Sequence, residues 1–352
     1  MQRAQAELSE YSRRLVDLLA EVPLVRLSEK RKSRRRLSDA ALDLPIDVTA
    51  GEEHWELIIE AKSSGEPRFI RGAIQQLQSS LPPSPRAYGV VAAPYLGDRA
   101  REICREARVG YLDLAGNCRL AFGSIFIERK GFPNPTVERR PLRTLFASKA
   151  SRILRVMLVE PKREFQLQTL AKLAGVSLGL AFKVKQRLLD LEYASGERDG
   201  LRLTRPEDLL REWARNYDFG KHEAVECYAM GEVAETEHRL AARCAEQRVP
   251  YAFTQFSGAA RVAPFARYLR SAAYVLTDPR TLAERLEWKV VPSGANVLLL
   301  RPFDEGVLYG SQEVTGDRVV SNVQLYLDLA SQGGRGEEAA TFLLEQRLRP
   351  TW

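Results

Sequence analysis

The chain has 352 residues, of which 45% are hydrophobic and 28% are charged, and its formal net charge is +7. This length allows two or three domains with their own cores, and no apolar run approaches the roughly 18 residues of a membrane-spanning helix. The charged first residues lack the apolar segment of a secretory signal, so we expect a cytoplasmic protein with no membrane association. The four isolated cysteines and three scattered histidines indicate neither a zinc site nor a covalent catalyst.

The chain begins with an amphipathic helix, followed by a basic block. Apolar residues at Leu8, Tyr11, Leu15, Leu18 and Leu19 have helical spacing, and Pro23 ends the pattern. Residues 30–36 then contain six cations in seven positions. Such a block is normally a solvated loop, but placed cations also bind phosphate, so this block is a candidate DNA contact through Arg34, Arg35 and Arg36.

A strand, helix and strand pattern follows. Strands are predicted at residues 44–49, 55–61, 88–93, 110–114 and 124–128, with helices at 69–77 and 98–107. A strand, a crossover helix and a second strand in this order predict a parallel pair covered by a helix. The proline-rich stretch at 131–135 marks the end of a first domain, which we place at residues 1–133.

Three polar side chains in the first two strands indicate chemistry. Glu60 and Lys62 share one face of their strand because side chains alternate along it. A tight turn near residues 53–54 is expected to bring Asp47 opposite Glu60, or within two positions of it. Two carboxylates and a backbone carbonyl suit Mg²⁺, and a lysine beside them stabilises negative charge during phosphodiester hydrolysis. The alternative is an ordinary cross-strand charge pair.

This arrangement resembles the PD-(D/E)xK nuclease superfamily over about residues 1–130. The resemblance implies a mixed sheet with flanking helices, metal ligands at Asp47 and Glu60, and Lys62 as a catalytic residue with Mg²⁺ or Mn²⁺ as the cofactor. Gln75 and Gln76 on the following helix are similar to glutamines in some branches of the superfamily. A further acidic residue on the first helix is often used, and Glu7, Glu10 and Asp17 are the candidates. Whether such a centre is an active enzyme stays open.

The middle of the chain changes character to short helices with an excess of positive charge. Between Arg139 and Arg215, seventeen Lys and Arg residues stand against nine Asp and Glu residues, which favours a polyanionic partner. Helices are predicted at 151–159, 167–174 and 177–191, with a tight turn at Gly175 and two short strands within 193–203. We interpret residues 144–217 as a winged helix-turn-helix that binds double-stranded DNA.

The third of these helices has the composition of a DNA-reading helix. Ala181, Val184, Leu188 and Leu191 form an inward stripe, so polar residues occupy the flanking positions, and Arg or Lys reads guanine while Gln reads adenine. The candidate DNA contacts are Ser177, Lys183, Lys185, Gln186 and Arg187 on this helix, and Arg198 and Arg202 in the wing. A winged helix that binds protein instead of DNA is the alternative.

From here to its end the chain resembles the AbiEi-type antitoxins of type IV toxin-antitoxin systems and their transcriptional-regulator relatives. The resemblance covers about residues 145–352 and rests on strings that include "LQTLAKLAGVSLGLAFKVKQRLLDLEYA", "LRLTRPEDLLREWARNY", "GANVLLLRPFDEGVLYG" and "VVSNVQLYLDL". It implies a DNA-binding winged helix joined to a C-terminal α/β domain at 222–352, repression of the protein's own operon, and a nucleotidyltransferase-type toxin as partner. A homodimer is expected from the symmetry of such regulators.

The sequence therefore predicts an α/β protein with a restriction-endonuclease-like mixed sheet, a central winged helix-turn-helix and a C-terminal α/β domain. In that last domain, strands are predicted at 274–276, 295–300 and 318–320, and helices at 235–247, 323–330 and 337–346. Its polar residues Asp304, Asp328, Arg335 and Glu337 are expected to be structural. Three functions remain: a DNA-binding regulator or antitoxin, a metal-dependent DNA endonuclease or nickase directed by the winged helix in defence against foreign DNA, and a protein-interaction role for the C-terminal half.

Overall fold

A computed structural model describes residues 2–23, 25–27, 44–135, 145–196 and 200–352, although not the side chains of residues 2–9, 44 and 45. By its contacts the chain divides into two compact units. Unit 1 is Met1–Glu138 with Asp190–Glu192, and unit 2 is Arg139–Leu189 with Tyr193–Trp352. The basic residues Arg34, Arg35, Arg36 and Arg198 lie outside the described residues.

Within its described residues, unit 1 is built on a mixed sheet of seven strands in chain order. Its described elements are α1 (Gln2–Ala20), β1 (Val25–Leu27), β2 (Leu44–Ala50), β3 (Glu53–Ala61), α2 (Pro67–Ser80), β4 (Ala87–Ala93), α3 (Asp98–Glu106), β5 (Gly110–Asp113), β6 (Cys118–Phe122) and β7 (Ile125–Arg129). Strands β3, β4 and β5 are parallel, and the other neighbours are antiparallel. Because α2 and α3 connect the parallel strands, the predicted strand, helix and strand pattern is confirmed.

The sheet of unit 1 is covered on both faces. The stripe Tyr11, Leu15 and Leu19 of α1 is buried in a cluster that contains Leu57 and Ile59 of β3. The opposite face packs against α2 and α3 in a second cluster, which includes Ile58 from the same strand. This alternation along β3 is the expected result of a strand between two apolar layers. The prediction gave one final strand where the structure has the hairpin of β6 and β7.

Unit 2 opens with three helices and three short strands. They are α4 (Ser148–Val159), β8 (Phe165–Gln166), α5 (Leu167–Leu173), α6 (Leu178–Asp190), β9 (Ala194–Ser195) and β10 (Gly200–Leu203), with the strands paired antiparallel in the order β8, β10, β9. The helices α5 and α6 meet at 112°. Gly175 turns the chain between them at φ +60°, a conformation that favours glycine, and the Ser177 hydroxyl accepts from the Leu180 amide at 3.3 Å.

The rest of unit 2 is a second mixed sheet of seven strands, in the order β14, β11, β15, β13, β12, β17, β16. Its elements are α7 (Pro206–Asn216), β11 (Glu223–Tyr228), α8 (Val233–Glu246), β12 (Tyr251–Phe253), α9 (Gln255–Val262), β13 (Ser271–Val275), α10 (Pro279–Arg285), β14 (Lys289–Val290), β15 (Val297–Arg301), β16 (Gln312–Val314), β17 (Asp317–Val319), α11 (Asn322–Ala330) and α12 (Arg335–Leu343). The predicted α/β class is confirmed. Strands of two or three residues, such as β12 and β14, are too short for periodicity to reveal.

None of the described helices is by itself both long enough and apolar enough to cross a membrane. The helices α5 and α6 reach that length and hydropathy only together, across their 112° bend. All four cysteines are buried and free, and burial raises the pKa of the Cys104 thiol to about 12.

Candidate functional site

The register of the first hairpin separates two of the predicted catalytic residues. Asp47 on β2 pairs with Glu56 on β3, so the expectation that Asp47 lies opposite Glu60 is wrong. The turn is at Gly51, which has φ +64°, and β3 begins at Glu53, two residues earlier than predicted. A two-residue turn fixes hairpin register. Glu60 is four positions beyond the partner of Asp47, which corresponds to about 13 Å along the strand.

Glu60 and Lys62 meet as the sequence predicted. Glu60 is 3% exposed, and the Lys62 ammonium donates to its Oε1 at 2.7 Å. The same ammonium donates to the Gln76 side-chain oxygen on α2. The Lys62 backbone amide donates to the Ala92 carbonyl of β4 at 2.8 Å, which holds the end of β3 against its neighbour. A buried carboxylate is thus compensated by a cation that a second side chain positions.

The other predicted members of this centre lie apart from it. Asp47 and Gln75 are exposed. On α1, Asp17 is exposed and Glu10 lies 3.5 Å from the guanidinium of Arg14. The side chain of Glu7 lies outside the described residues. Of the predicted catalytic set, the described structure therefore brings together Glu60, Lys62 and Gln76.

These residues do not assemble the metal centre that the nuclease resemblance implies. Among the described residues, no three His, Cys, Asp or Glu side chains converge closely enough to hold a metal ion. Glu60 is the buried carboxylate here, and its Oε1 already accepts from Lys62. A Mg²⁺ site in a protein usually takes one or two carboxylates together with substrate phosphates, and of the two predicted metal ligands Glu60 is the one that lies here.

The acidic turn that follows β5 is structural. Asp113 ends β5 with 2% of its surface exposed. Its Oδ1 accepts from the amides of Gly116 and Asn117, both at 2.9 Å, and its Oδ2 accepts from the Leu96 amide at 3.1 Å. Asn117 adds a side-chain hydrogen bond to the same Oδ2 at 2.9 Å. With this many backbone donors, the carboxylate serves as the fixed centre of a turn.

Helix α6 presents part of the predicted DNA-contacting set. Lys183 is exposed and makes no ion pair with another described residue, while Gln186 and Arg187 are half-buried. Lys185 is only 6% exposed, since it lies one turn after the buried Ala181 and one turn before the buried Leu188. Sequence spacing had placed Lys185 near the exposed face, whereas the structure turns it toward the interior. In the sheet beside the helix, Arg202 on β10 is exposed.

Two apolar residues of α6 are also exposed, and neither of them was predicted to be. Leu178 is 48% exposed and Phe182 is 52% exposed. They are four residues apart and therefore share one face of the helix. The available signal was the helical pattern itself, because Ala181, Val184 and Leu188 already complete the buried stripe and leave these two positions outside it.

A buried polar network lies in the other part of unit 2, centred on Asp328. This residue of α11 has no exposed surface. Its Oδ1 accepts from the hydroxyls of Tyr217 at 2.8 Å and Tyr274 at 3.1 Å, and from the Gln324 amide at 2.7 Å. Its Oδ2 accepts from the Thr254 hydroxyl. Burial nevertheless dominates and raises the pKa of Asp328 to about 6, with the four hydrogen bonds opposing the shift.

His222 completes this network on the side of the two tyrosines. Its Nε2 lies 2.8 Å from the Tyr217 hydroxyl and 3.1 Å from the Tyr274 hydroxyl. Because each hydroxyl donates its hydrogen to Asp328, Nε2 is assigned as the donor to the two hydroxyl oxygens. Its Nδ1 is buried and has no hydrogen-bond partner among the described residues. Burial, with the nearby positive charge of Arg155, lowers the pKa of His222 to about 4.

Arg155 of α4 joins the network from the helical part of the unit. Its side chain is fully buried, and its Nη2 donates to the Gln324 side-chain oxygen at 2.6 Å. Its Nη1 donates to the Ser151 hydroxyl at 2.9 Å, and its guanidinium stacks 4.7 Å from the centre of the Trp213 ring. Gln324 therefore connects a buried cation to a buried carboxyl group.

Helix α4 makes a second contact with the C-terminal part of unit 2, through Arg152. Arg152 donates to both oxygens of Asp304, at 2.8 and 3.0 Å, in a bidentate pair. Asp304 also accepts from the Gly306 amide at 2.8 Å. The expected structural roles of Asp304 and Asp328 are thus consistent with their contacts, while Arg335 and Glu337 are exposed.

Comparison with known proteins gives one family. Residues 202–349 match the family described as "Transcriptional regulator, AbiEi antitoxin, Type IV TA system". The resemblance to AbiEi antitoxins that the sequence analysis stated is confirmed over these residues, which run from β10 to the end of the second sheet and its last helices. No curated protein and no solved structure matches the chain.

Proposed function

We propose that this protein is a DNA-binding transcriptional regulator of the AbiEi antitoxin type, and that residues 145–203 are its winged helix-turn-helix. The observation that carries the proposal is the 112° angle between α5 and α6 across the Gly175 turn. Helix-turn-helix pairs cross at about 90–120°. The surrounding order of helix, strand, helix, helix, strand, strand supports the same interpretation, and the AbiEi match follows directly in the chain.

The charges of this segment support DNA as its ligand. Five of its cations are exposed and make no ion pair with another described residue: Lys149, Lys162, Lys172, Lys183 and Arg202. Cations without local partners are available to neutralise phosphates. On α6, Lys183 is suited to guanine or phosphate and Gln186 to adenine. We propose Gln186 and Arg187 as base or groove contacts, Lys183 as a phosphate or guanine contact, and Ser177 and Arg202 as phosphate contacts.

The test is a binding assay with duplex DNA from the upstream region of the protein's own gene. The full-length chain is expected to bind this duplex in preference to a scrambled duplex of equal composition. The double variant Lys183→Ala/Gln186→Ala is expected to lose that preference. Lys289→Ala removes one exposed cation on β14 and is the matched control, which is expected to retain it.

An outcome with no preference for the upstream duplex in the wild type contradicts operon regulation. If the wild type shows the preference and the double variant keeps it unchanged, the assignment of α6 as the reading helix is wrong. Circular dichroism of each variant establishes that the comparison is between folded proteins.

As an AbiEi-type antitoxin, the protein is further proposed to counteract a nucleotidyltransferase-type toxin encoded beside it, in the cytoplasm where its DNA target lies. The support is the family match over residues 202–349. Co-expression with the neighbouring gene product is expected to rescue growth that the product alone arrests. Absence of rescue contradicts the antitoxin role. We propose a homodimer, which light scattering of the full chain tests directly.

Unit 1 supports a second candidate function, a metal-dependent DNA endonuclease or nickase with a nuclease-like fold. The supporting observations are the mixed sheet with helices on both faces and the contacts of Lys62 with Glu60 and Gln76. The described residues lack the second carboxylate of a metal centre. In the sequence, Asp43 directly precedes β2, and it lies outside the described residues. We therefore include it beside Asp47 in the test.

Plasmid DNA incubated with the full chain and Mg²⁺ or Mn²⁺ separates the two candidates. An endonuclease is expected to nick the plasmid, and Lys62→Ala and either Asp43→Ala or Asp47→Ala are expected to abolish the nicking. Equal nicking by all variants indicates a contaminating nuclease. No nicking with either ion leaves the regulator as the function and excludes the endonuclease.

A further inference from the structure

The exposed face of α6 is unusual because it combines large apolar side chains with a cation. Leu178 and Phe182 are 48% and 52% exposed, and Lys183 next to them is exposed as well. The inward stripe of the helix is complete without them, with Ala181, Val184 and Leu188 buried. A ligand that covers half-exposed leucine and phenylalanine side chains binds favourably, because it removes their apolar surface from water.

The position of these residues within α6 restricts what that ligand is. In a helix-turn-helix, the N-terminal residues of the second helix reach the base edges in the major groove. Leu178 is the first residue of α6 and Phe182 is one turn further, so both belong to that half of the helix. The apolar group that the major groove offers is the 5-methyl group of thymine, and phenylalanine is among the side chains that contact it.

We infer that Phe182 and Leu178 select thymine by packing against its 5-methyl group in the major groove. The inference rests on the proposed function, since it needs α6 to be the reading helix. Gln186 lies one turn beyond Phe182 on the same side of α6, and its half-buried amide is suited to the adenine of a neighbouring A·T pair. The recognised sites are therefore A·T-containing, with thymines at the positions that face the start of α6.

The surrounding charge favours DNA over a protein as the occupant of this face. Lys183 and Lys172 are exposed without an ion pair to another described residue, and Arg202 is exposed on β10. The segment from Arg139 to Arg215 holds seventeen basic residues against nine acidic ones. An apolar patch within such a positive field is complementary to a methyl group flanked by phosphates.

Replacing thymine by uracil tests the inference, because it removes the methyl group and keeps the base pairing. The probe is a 30-bp duplex that the full-length chain enriches from a random-sequence pool, made once with thymine and once with uracil. The wild type is expected to bind the uracil duplex about fourfold more weakly for each methyl group contacted. Phe182→Ala is expected to weaken binding to the thymine duplex and to reduce the preference for thymine, and the double variant Leu178→Ala/Phe182→Ala is expected to bind the two duplexes nearly equally.

Lys183→Ala is the matched control, since it removes a charge from the neighbouring position. It is expected to weaken binding to both duplexes alike and to keep the preference for thymine. Equal binding of both duplexes by the wild type overturns the thymine inference and leaves DNA regulation intact. Failure to enrich or bind any duplex overturns the inference and the proposed function together. If Phe182→Ala retains the full preference for thymine, the face serves another occupant, such as a protein, and the inference is wrong.

Discussion

Arg155 and Asp328, both without exposed surface, are joined through the side-chain amide of Gln324. The guanidinium donates to the Gln324 oxygen at 2.6 Å, and the Gln324 nitrogen donates to Asp328 Oδ1 at 2.7 Å. Arg155 lies on the first helix of the proposed winged helix, and Gln324 and Asp328 lie on α11 of the second sheet's layer. Hydrogen bonds among fully buried polar groups fix these two helices in one arrangement.

We expect Asp328→Ala to destabilise the protein strongly. The change leaves three hydroxyl groups and the Gln324 amide without their acceptor in the interior, and it removes a negative charge that interacts with Arg155. Loss of one partner from a buried polar network of this kind costs about 3–5 kcal/mol. Urea denaturation measures the effect. Glu337→Ala, at an exposed position on α12, is the control and is expected to change stability by less than about 0.5 kcal/mol.

The same network predicts two opposing pH dependences. The pKa of Asp328 is raised to about 6, so the folded state keeps a proton that the unfolded state releases, and stability falls as pH rises from about 4 to 6. The pKa of His222 is lowered to about 4, so only the unfolded state binds a proton between about 4 and 6.5. The contribution of His222 to folding stability therefore rises with pH over nearly the same interval. The two slopes are expected to cancel in large part in the wild type.

Single variants separate these slopes. His222→Gln removes the histidine and is expected to show stability that falls as pH rises from 4.5 to 6, by up to about 2 kcal/mol. Asp328→Asn removes the carboxyl group and is expected to show the reverse slope. Urea denaturation at pH 4.5, 5.5 and 6.5 measures both. Parallel slopes for wild type and both variants are incompatible with opposite titrations of the two groups.

The pair of Glu60 and Lys62 predicts a local effect in unit 1. Lys62→Ala leaves the carboxylate of Glu60, which is 3% exposed, without its cation, whereas Glu60→Gln removes the buried charge. We expect Lys62→Ala to lower stability by about 1–3 kcal/mol, and the double variant Glu60→Gln/Lys62→Ala to recover part of the loss. Hydrogen exchange of the β3 and β4 amides measures these changes in stability. A double variant as unstable as the sum of the single ones rules out this coupling.

A side chain at Gly175 is expected to destabilise the protein. It turns the chain between α5 and α6 at φ +60°, where a Cβ costs roughly 1–2 kcal/mol. Gly175→Ala is therefore expected to lower stability by that amount and to weaken binding to the upstream duplex by disturbing the angle of α6. The exposed Gly179, inside α6 and with open space at its Cβ position, supplies the control, because Gly179→Ala is expected to stabilise the helix. Equal losses in both variants contradict a special role of the turn.

Local patterns predicted much of the fold. The stripe Tyr11, Leu15 and Leu19 and the alternation along β3 follow directly from helical and strand periodicity, and both are buried as expected. The register of the first hairpin did not follow, because it depends on where the chain turns. Gly51 forms the turn with φ +64°, and the resulting register pairs Asp47 with Glu56 and not with Glu60.

The buried network around Asp328 could not be predicted from the sequence either, and the reason is different. Its members Arg155, Tyr217, Tyr274 and Asp328 are up to 173 positions apart in the chain and meet only when the helices pack on the second sheet. Lys185 shows the same limit on a smaller scale. Its spacing on α6 is compatible with an exposed or a buried side chain, and packing decided for the interior.

The salt dependence of DNA binding tests the central claim most directly. Affinity of the full chain for the upstream duplex, measured between about 50 and 200 mM salt, is expected to fall with a logarithmic slope of about −3 or steeper, since each neutralised phosphate contributes about 0.9. Lys183→Ala is expected to reduce that slope by about 1, and Lys289→Ala to leave it unchanged. A slope near zero, or equal slopes for Lys183→Ala and the wild type, contradicts DNA binding through α6.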